Sequence, residues 1–212
     1  MKLYMFEHCS LCFRVRMTAA LKEVALEEVP VLDDDTDTLV SLVGKRVIPI
    51  LVKDDGTAML ESMDMVDYIE AKGAPVLTGS ERPEIEAIAA RLLKTSPSLT
   101  MPRYALLQLP EFATGAARDH FIARKERVFD SFVELRARTS ELIAELVPVI
   151  DDLDQLIESP DAINGELSRD DVRILPLLRS AAVVKELEFP SKVRTYFESM
   201  LKRTGFSPLP VI

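Results

Sequence analysis

The sequence predicts an α/β N-terminal domain of order β-α-β-α-β-β-α, joined to a second domain built from helices alone. Three observations carry that division. Strand-like and helix-like patterns alternate over the first seventy or so residues. A stretch of chain breakers follows, Lys72-Gly73-Ala74-Pro75 and then Thr78-Gly79-Ser80. Beyond it no segment has a convincing strand pattern, while apolar residues recur at helical spacing. The expected boundaries are 1–72 for the first domain, 73–84 for a linker and 85–212 for the helical domain.

Lys2-Leu3-Tyr4-Met5-Phe6 is a short apolar and aromatic run, as a buried strand requires. Phe13, Met17, Leu21 and Val24 then repeat at helical spacing. Between strand and helix stands Cys9-Ser10-Leu11-Cys12, which holds the only two cysteines in the chain. Glu27–Leu32 is the second strand. Pro30 inside it cannot donate to a ladder, so the strand belongs at a sheet edge. Asp33-Asp34-Asp35 opens a polar connection, and a short helix over Thr36–Val43 stops at Gly44. Ile48–Val52 is a strand entered through Pro49. Asp54-Asp55-Gly56 turns it back into Ala58-Met59-Leu60. Ser62 is placed as the N-cap of a helix carrying Met65, Val66 and Ile69 on one face.

In the second domain Pro83 suits a first helical turn, with Ile85, Ile88, Leu92 and Leu93 as the inner face. Thr114 is expected to cap one long helix whose stripe runs through Phe121, Val128, Phe129, Phe132 and Leu135. Ser140 is expected to cap another as far as Ile157, with a kink or break at Pro148. Ser168 and Asp171 form a capping box with Asp in place of the usual Glu. Pro190 opens a last helix to about Arg203. Stripes of this kind are core rather than ligand boxes.

Composition excludes several classes. The 212 residues carry a net charge of −9, and phosphate binding calls for a basic patch, so nucleic acid is not an expected partner. No apolar run is long enough to span a bilayer, so no membrane partner is expected. The N-terminus has no charged-then-apolar leader pattern. Two cysteines do not make a secreted disulfide framework, so a reducing cytoplasm is the expected location.

The cysteine pair carries the chemistry. Cys9 falls at a helix N-terminus, where unpaired N–H groups and the positive end of the helix dipole stabilise a thiolate. Zinc would need four ligands, and only His8 and His120 could join the two cysteines. The His8 side chain is expected to point away from the helix end, so no metal is expected. Two inert, buried cysteines are also compatible with the spacing. A redox dithiol is the preferred reading: Cys9 attacks a disulfide and Cys12 resolves it. Two further pieces can converge on Cys9. Only about 5–6% of X–Pro bonds are cis, but a cis Ile48-Pro49 would turn the Ile48 peptide outward, free to pair with an extended peptide. At Glu61-Ser62 a helix start could hold a carboxylate while Glu61 takes an ammonium, as the two ends of an α-amino acid demand.

These residues resemble a known family. C-x-x-C, Ile48-Pro49 and Glu61-Ser62 stand where thioredoxin-fold glutaredoxins and the related glutathione transferases keep the active cysteine, the cis-proline and the γ-glutamyl site. The helical remainder resembles the C-terminal domain of the transferase architecture. The chain is similar nearly end to end to the two-domain bacterial glutaredoxin 2 family, including Met101-Pro102-Arg103-Tyr104, Ala162–Ser168 and Leu175–Arg179. The resemblance implies a glutathione-dependent thiol–disulfide oxidoreductase, with glutathione as co-substrate and disulfide-bonded or glutathionylated proteins as partners. It implies Cys9 as nucleophile, Cys12 as resolving thiol, and Ile48 and Pro49 at the cysteinyl unit. Glu61 and Ser62 would hold the γ-glutamyl end, and Lys45 or Arg46 the glycine carboxylate. A monomer is expected. Ser10-Leu11 replaces the Pro-Tyr common between glutaredoxin cysteines, which implies a changed potential and the loss of an aromatic wall. Two alternatives share the architecture: a glutathione transferase or dehydroascorbate-reductase-like enzyme using Cys9 alone, and a non-catalytic interaction module.

Overall fold

The computed structural model describes residues 1–212. Four strands, β1 (Lys2–Met5), β2 (Glu27–Pro30), β3 (Ile50–Val52) and β4 (Ala58–Met59), form one sheet in the order β2-β1-β3-β4. β1 runs parallel to β2 and antiparallel to β3, and β3 and β4 make a hairpin. β2 lies at the edge, as Pro30 requires, and ends there rather than at Leu32. Gly56, at φ 83°, makes the tight hairpin turn that a side chain would strain.

Alternation along the strands sorts the helices to two faces. Leu3, Met5 and Leu51 pack with Cys12, Val15 and Ala19 of α1 (Ser10–Leu21) and Met65 and Ile69 of α3 (Ser62–Glu70). Phe6 and Ile50 pack on the other side with Leu39 of α2 (Thr36–Val43). Asp35 caps α2, and Gly44 ends it in the left-handed conformation.

Residues 71–82 carry no helix or strand and lead into α4 (Pro83–Thr95). The helices α5 (Pro97–Tyr104), α6 (Gly115–Lys125), α7 (Phe132–Ala137), α8 (Thr139–Leu156), α9 (Arg169–Ala181) and α10 (Ser191–Thr204) follow. They surround a core of 40 buried residues that also includes Phe13, Met17 and Val66 of the first domain. None of these helices is long and apolar enough to cross a membrane.

Sequence and structure differ in several places. The single helix expected from Thr114 is two. α6 ends at Lys125, Val128 is 74% exposed, and Ser131 caps α7 by accepting the Glu134 amide. The Glu126 carboxylate accepts the Phe132 amide at 2.6 Å and fixes the restart. α8 starts at Thr139, one residue before the expected cap, and runs unbroken through Pro148. Leu93, expected inside, is 43% exposed and faces the cleft described below. The capping box of α9 is present with both bonds, and Asp171 also accepts the Ile163 amide and the Tyr196 hydroxyl.

Candidate active site

Cys9 is the N-cap of α1, with extended backbone at φ −75° and ψ 115°. Its sulfur accepts the Cys12 amide at 3.4 Å. The Cys9 thiol is held down at about 6. The main cause is the hydrogen bond from the Cys12 thiol; burial opposes it, and the neighbouring His8 charge and the Cys12 and Leu11 amides assist. Cys12 is fully buried, and burial, followed by its bond to Cys9, pushes its own thiol well above the ordinary range. Both cysteines are free. The first sulfur is therefore ionised and reachable, and the second is protonated and sealed.

Cys9, Ser10 and Leu11 open on a cleft of about 420 Å³ between the domains. Arg46, Val47 and Ile48 form its wall from the first domain. Thr100, Met101 and Tyr104 of α5, with Arg124 and Lys125 of α6, form the wall from the second. The Ile48-Pro49 bond is cis. Ile48 lines the cleft, and neither its amide nor its carbonyl has a backbone partner. A ligand in extended form could supply both bonds.

The other expected residues are distributed unevenly. Glu61 is exposed and is the N-cap of α3, without a side-chain cap bond. Ser62 is therefore not the cap but the first helical residue; it is buried, and its hydroxyl lies 3.4 Å from the Arg14 guanidinium. Burial lowers the Arg14 pKa, while the Cys9 charge opposes that fall, so Arg14 links Ser62 to the field of the thiolate. Neither Glu61 nor Ser62 lines the cleft. Of the two cations, Arg46 lines it and Lys45 sits on the exposed turn outside.

Four residues escaped sequence reasoning. His8 is buried at the edge of the cleft, and its ring hydrogen-bonds Glu111, which is 0% exposed. Glu111 sits in a short 3-10 turn, Pro110–Phe112, and accepts the amides of Glu7 and His8 at 3.1 and 3.0 Å. Asp33 lies in the polar connection between β2 and α2. It is fully buried and binds Arg46, His120 and Arg124. Tyr104 lends the cleft an aromatic wall from the second domain, where the cysteine loop has none. Most of these contacts cross from one domain to the other, as Glu111 does to His8 and as His120 and Arg124 do to Asp33, so they could not be seen in the chain. No group of three or more His, Cys, Asp or Glu side chains is arranged to hold a metal ion.

Residues 84–209 match the model for the glutaredoxin 2 C-terminal domain, and residues 3–82 match that for the glutathione S-transferase N-terminal domain. Glutaredoxin 2 of Escherichia coli K12 is 40% identical over 210 residues, 99% of this chain and 98% of the relative. A crystal structure of glutaredoxin 2 from Salmonella typhimurium in complex with glutathione is 38% identical. It superposes with a TM-score of 0.94 over 98% of this chain and 96% of that one. Gtt2 from Saccharomyces cerevisiae, 19% identical with a TM-score of 0.59 over 95% and 96%, shares the fold alone. Identity sustained over nearly the whole of both chains leaves no part of either domain outside the likeness: the chain belongs to the glutaredoxin 2 family.

Proposed function

We infer that this chain is a glutathione-dependent thiol–disulfide oxidoreductase working through Cys9 and Cys12. One observation carries the reading: an ionised Cys9 sulfur opens on the interdomain cleft while a protonated Cys12 lies against it. With Cys9 at about 6, thiolate outnumbers thiol by about ten to one at pH 7. The thiolate attacks a substrate disulfide and releases one substrate sulfur as a thiol. Cys12 then gives up its proton and attacks Cys9, which frees the second substrate thiol and leaves a Cys9–Cys12 disulfide. Two glutathione molecules restore the dithiol and leave as glutathione disulfide. A glutathionylated protein needs only Cys9: the sulfur takes the glutathionyl group, and a second glutathione removes it.

In this reading the unpaired Ile48 peptide binds the glutathione backbone beside Pro49. Glu61, Ser62 and the free amides at the start of α3 take the γ-glutamyl end. The glycine carboxylate is assigned to Arg46 rather than Lys45, because Arg46 lines the cleft. Disulfide-bonded and glutathionylated proteins are the partner class, and free cysteines suit a reducing cytoplasm.

Alkylation of Cys9 followed by mass spectrometry across pH tests the assignment. The expected rate midpoint is about 6. A midpoint near 8.5, that of a free thiol, removes it.

A further inference from the structure

We propose that Glu111 is a positioning residue for the Cys9 sulfur: paired with His8 across the domain boundary, it fixes a positive charge beside the thiolate. The inference rests on Cys9 being the nucleophile.

The geometry is specific. The Glu111 carboxylate is closed off from water and takes three donors, all from residues 7 and 8: two backbone amides and the His8 ring at Nδ1. His8 is the only side chain bonded to it. A buried carboxylate with no countercharge is costly, and the His8 ring is the side chain placed to supply one. Burial alone would raise the Glu111 pKa, yet the bonds and charge of His8 bring it below the usual range. The ring itself is clamped. Phe6 and Phe112 stack on it at 5.7 and 5.4 Å, and Phe121 meets it edge-on at 5.3 Å. Because His8 adjoins Cys9 in the chain and in the cleft, its charge falls on the sulfur.

Other charged groups face this corner. Arg14 and Arg16 lie on α1, and Tyr104 on α5 is held neutral by burial, up to about 12. Arg46 and Arg124 share Asp33, and Lys125 adjoins them on α6. Arg179 on α9 is tied to Glu7. Substituting Glu111 leaves all of these in place, so they form a constant background.

The experiment compares Cys9 alkylation against pH in the full chain and in Glu111→Gln, His8→Gln and the double variant. Gln keeps one acceptor oxygen where the carboxylate offers two, one to each amide, and removes the charge. Glu111→Gln should move the Cys9 midpoint up by about one pH unit, a roughly tenfold loss of thiolate below both midpoints. In the His8→Gln background the same change should add nothing, since Glu111 acts through the ring. An unmoved or lowered midpoint in folded Glu111→Gln overturns the proposal, as does a full shift that persists without His8. Near-ultraviolet circular dichroism establishes folding. Should Glu111→Gln not fold, NMR of the wild type decides: a strongly downfield Nδ1–H signal from His8 is expected, and its absence is contrary. A wild-type midpoint near that of a free thiol would instead defeat the proposed function itself.

Discussion

Replacing Cys12 by Ser separates the two halves of the chemistry. The variant should lose reduction of protein disulfides and keep removal of glutathionyl groups, since only the first needs a resolving thiol. Assays with a disulfide-bonded protein and with a glutathionylated peptide check this; full protein-disulfide reduction by Cys12→Ser would refute the dithiol mechanism. The position of Cys9 was legible because its signals are local: an apolar strand before it and a helical stripe after it. Ser62 was misplaced by one residue because either neighbour can cap, and only the backbone shows that Glu61 is the extended one. Glu111 was invisible. Pro110-Glu111-Phe112 carries no motif, and its partner lies 103 residues away.

Among the elements, the start of α9 carries a buried polar cluster. Asp171 accepts the Ser168 and Ile163 amides at 2.8 Å each and the Tyr196 hydroxyl at 3.0 Å, all in a buried setting. Asp171→Ala should strand these donors at a cost of about 3 kcal/mol, lowering Tm by about 8 °C. Asp171→Asn, which keeps an acceptor, should lose less. A Tm within 2 °C of wild type for the Ala variant would show that the box is decorative. The capping box was readable because its residues lie three apart in the chain. The break between α6 and α7 was not, because the apolar period continues through Val128 and Phe129 although the backbone turns there. Its determinants are polar: Glu126 and Ser131 satisfy amides of the new helix. α5 begins at Pro97 and contains Pro102, and both read as breakers when helix spacing is the only guide.

At the scale of the whole molecule, the domains are joined by buried charge as well as by apolar packing. Arg179 on α9 donates to the Glu7 carbonyl and carboxylate, and its guanidinium stacks over Phe13 at 4.5 Å. Glu111 adds a pH dependence to this junction. Its folded pKa lies below the ordinary glutamate value of 4.5. Its stabilisation is therefore complete above 4.5 and is lost as pH falls through the folded value. Wild-type Tm should fall more steeply than that of Glu111→Gln below about 4.5, and parallel curves would contradict the assignment. The connection between domains is docked too. The Gly79 amide donates to Leu167 at 2.7 Å, and a Cβ there would lie 2.5 Å from the Glu166 carbonyl oxygen. Gly79→Ala should cost about 2 kcal/mol, measurable by chemical denaturation, through forced backbone displacement. The two-domain order could be read from strand and helix periods, which are local. How the halves meet could not, since that depends on pairs far apart in sequence.

Phe13, Met17 and Val66 stand among the buried side chains of the helical half. A fragment cut after residue 72 would keep every strand of the sheet and lose the lining on one flank of its first helix. Such a piece is expected to clump at the concentrations used for purification, eluting as a broad heavy band in size-exclusion chromatography. Miniaturising this protein by amputation should therefore fail unless those three positions are first made water-loving.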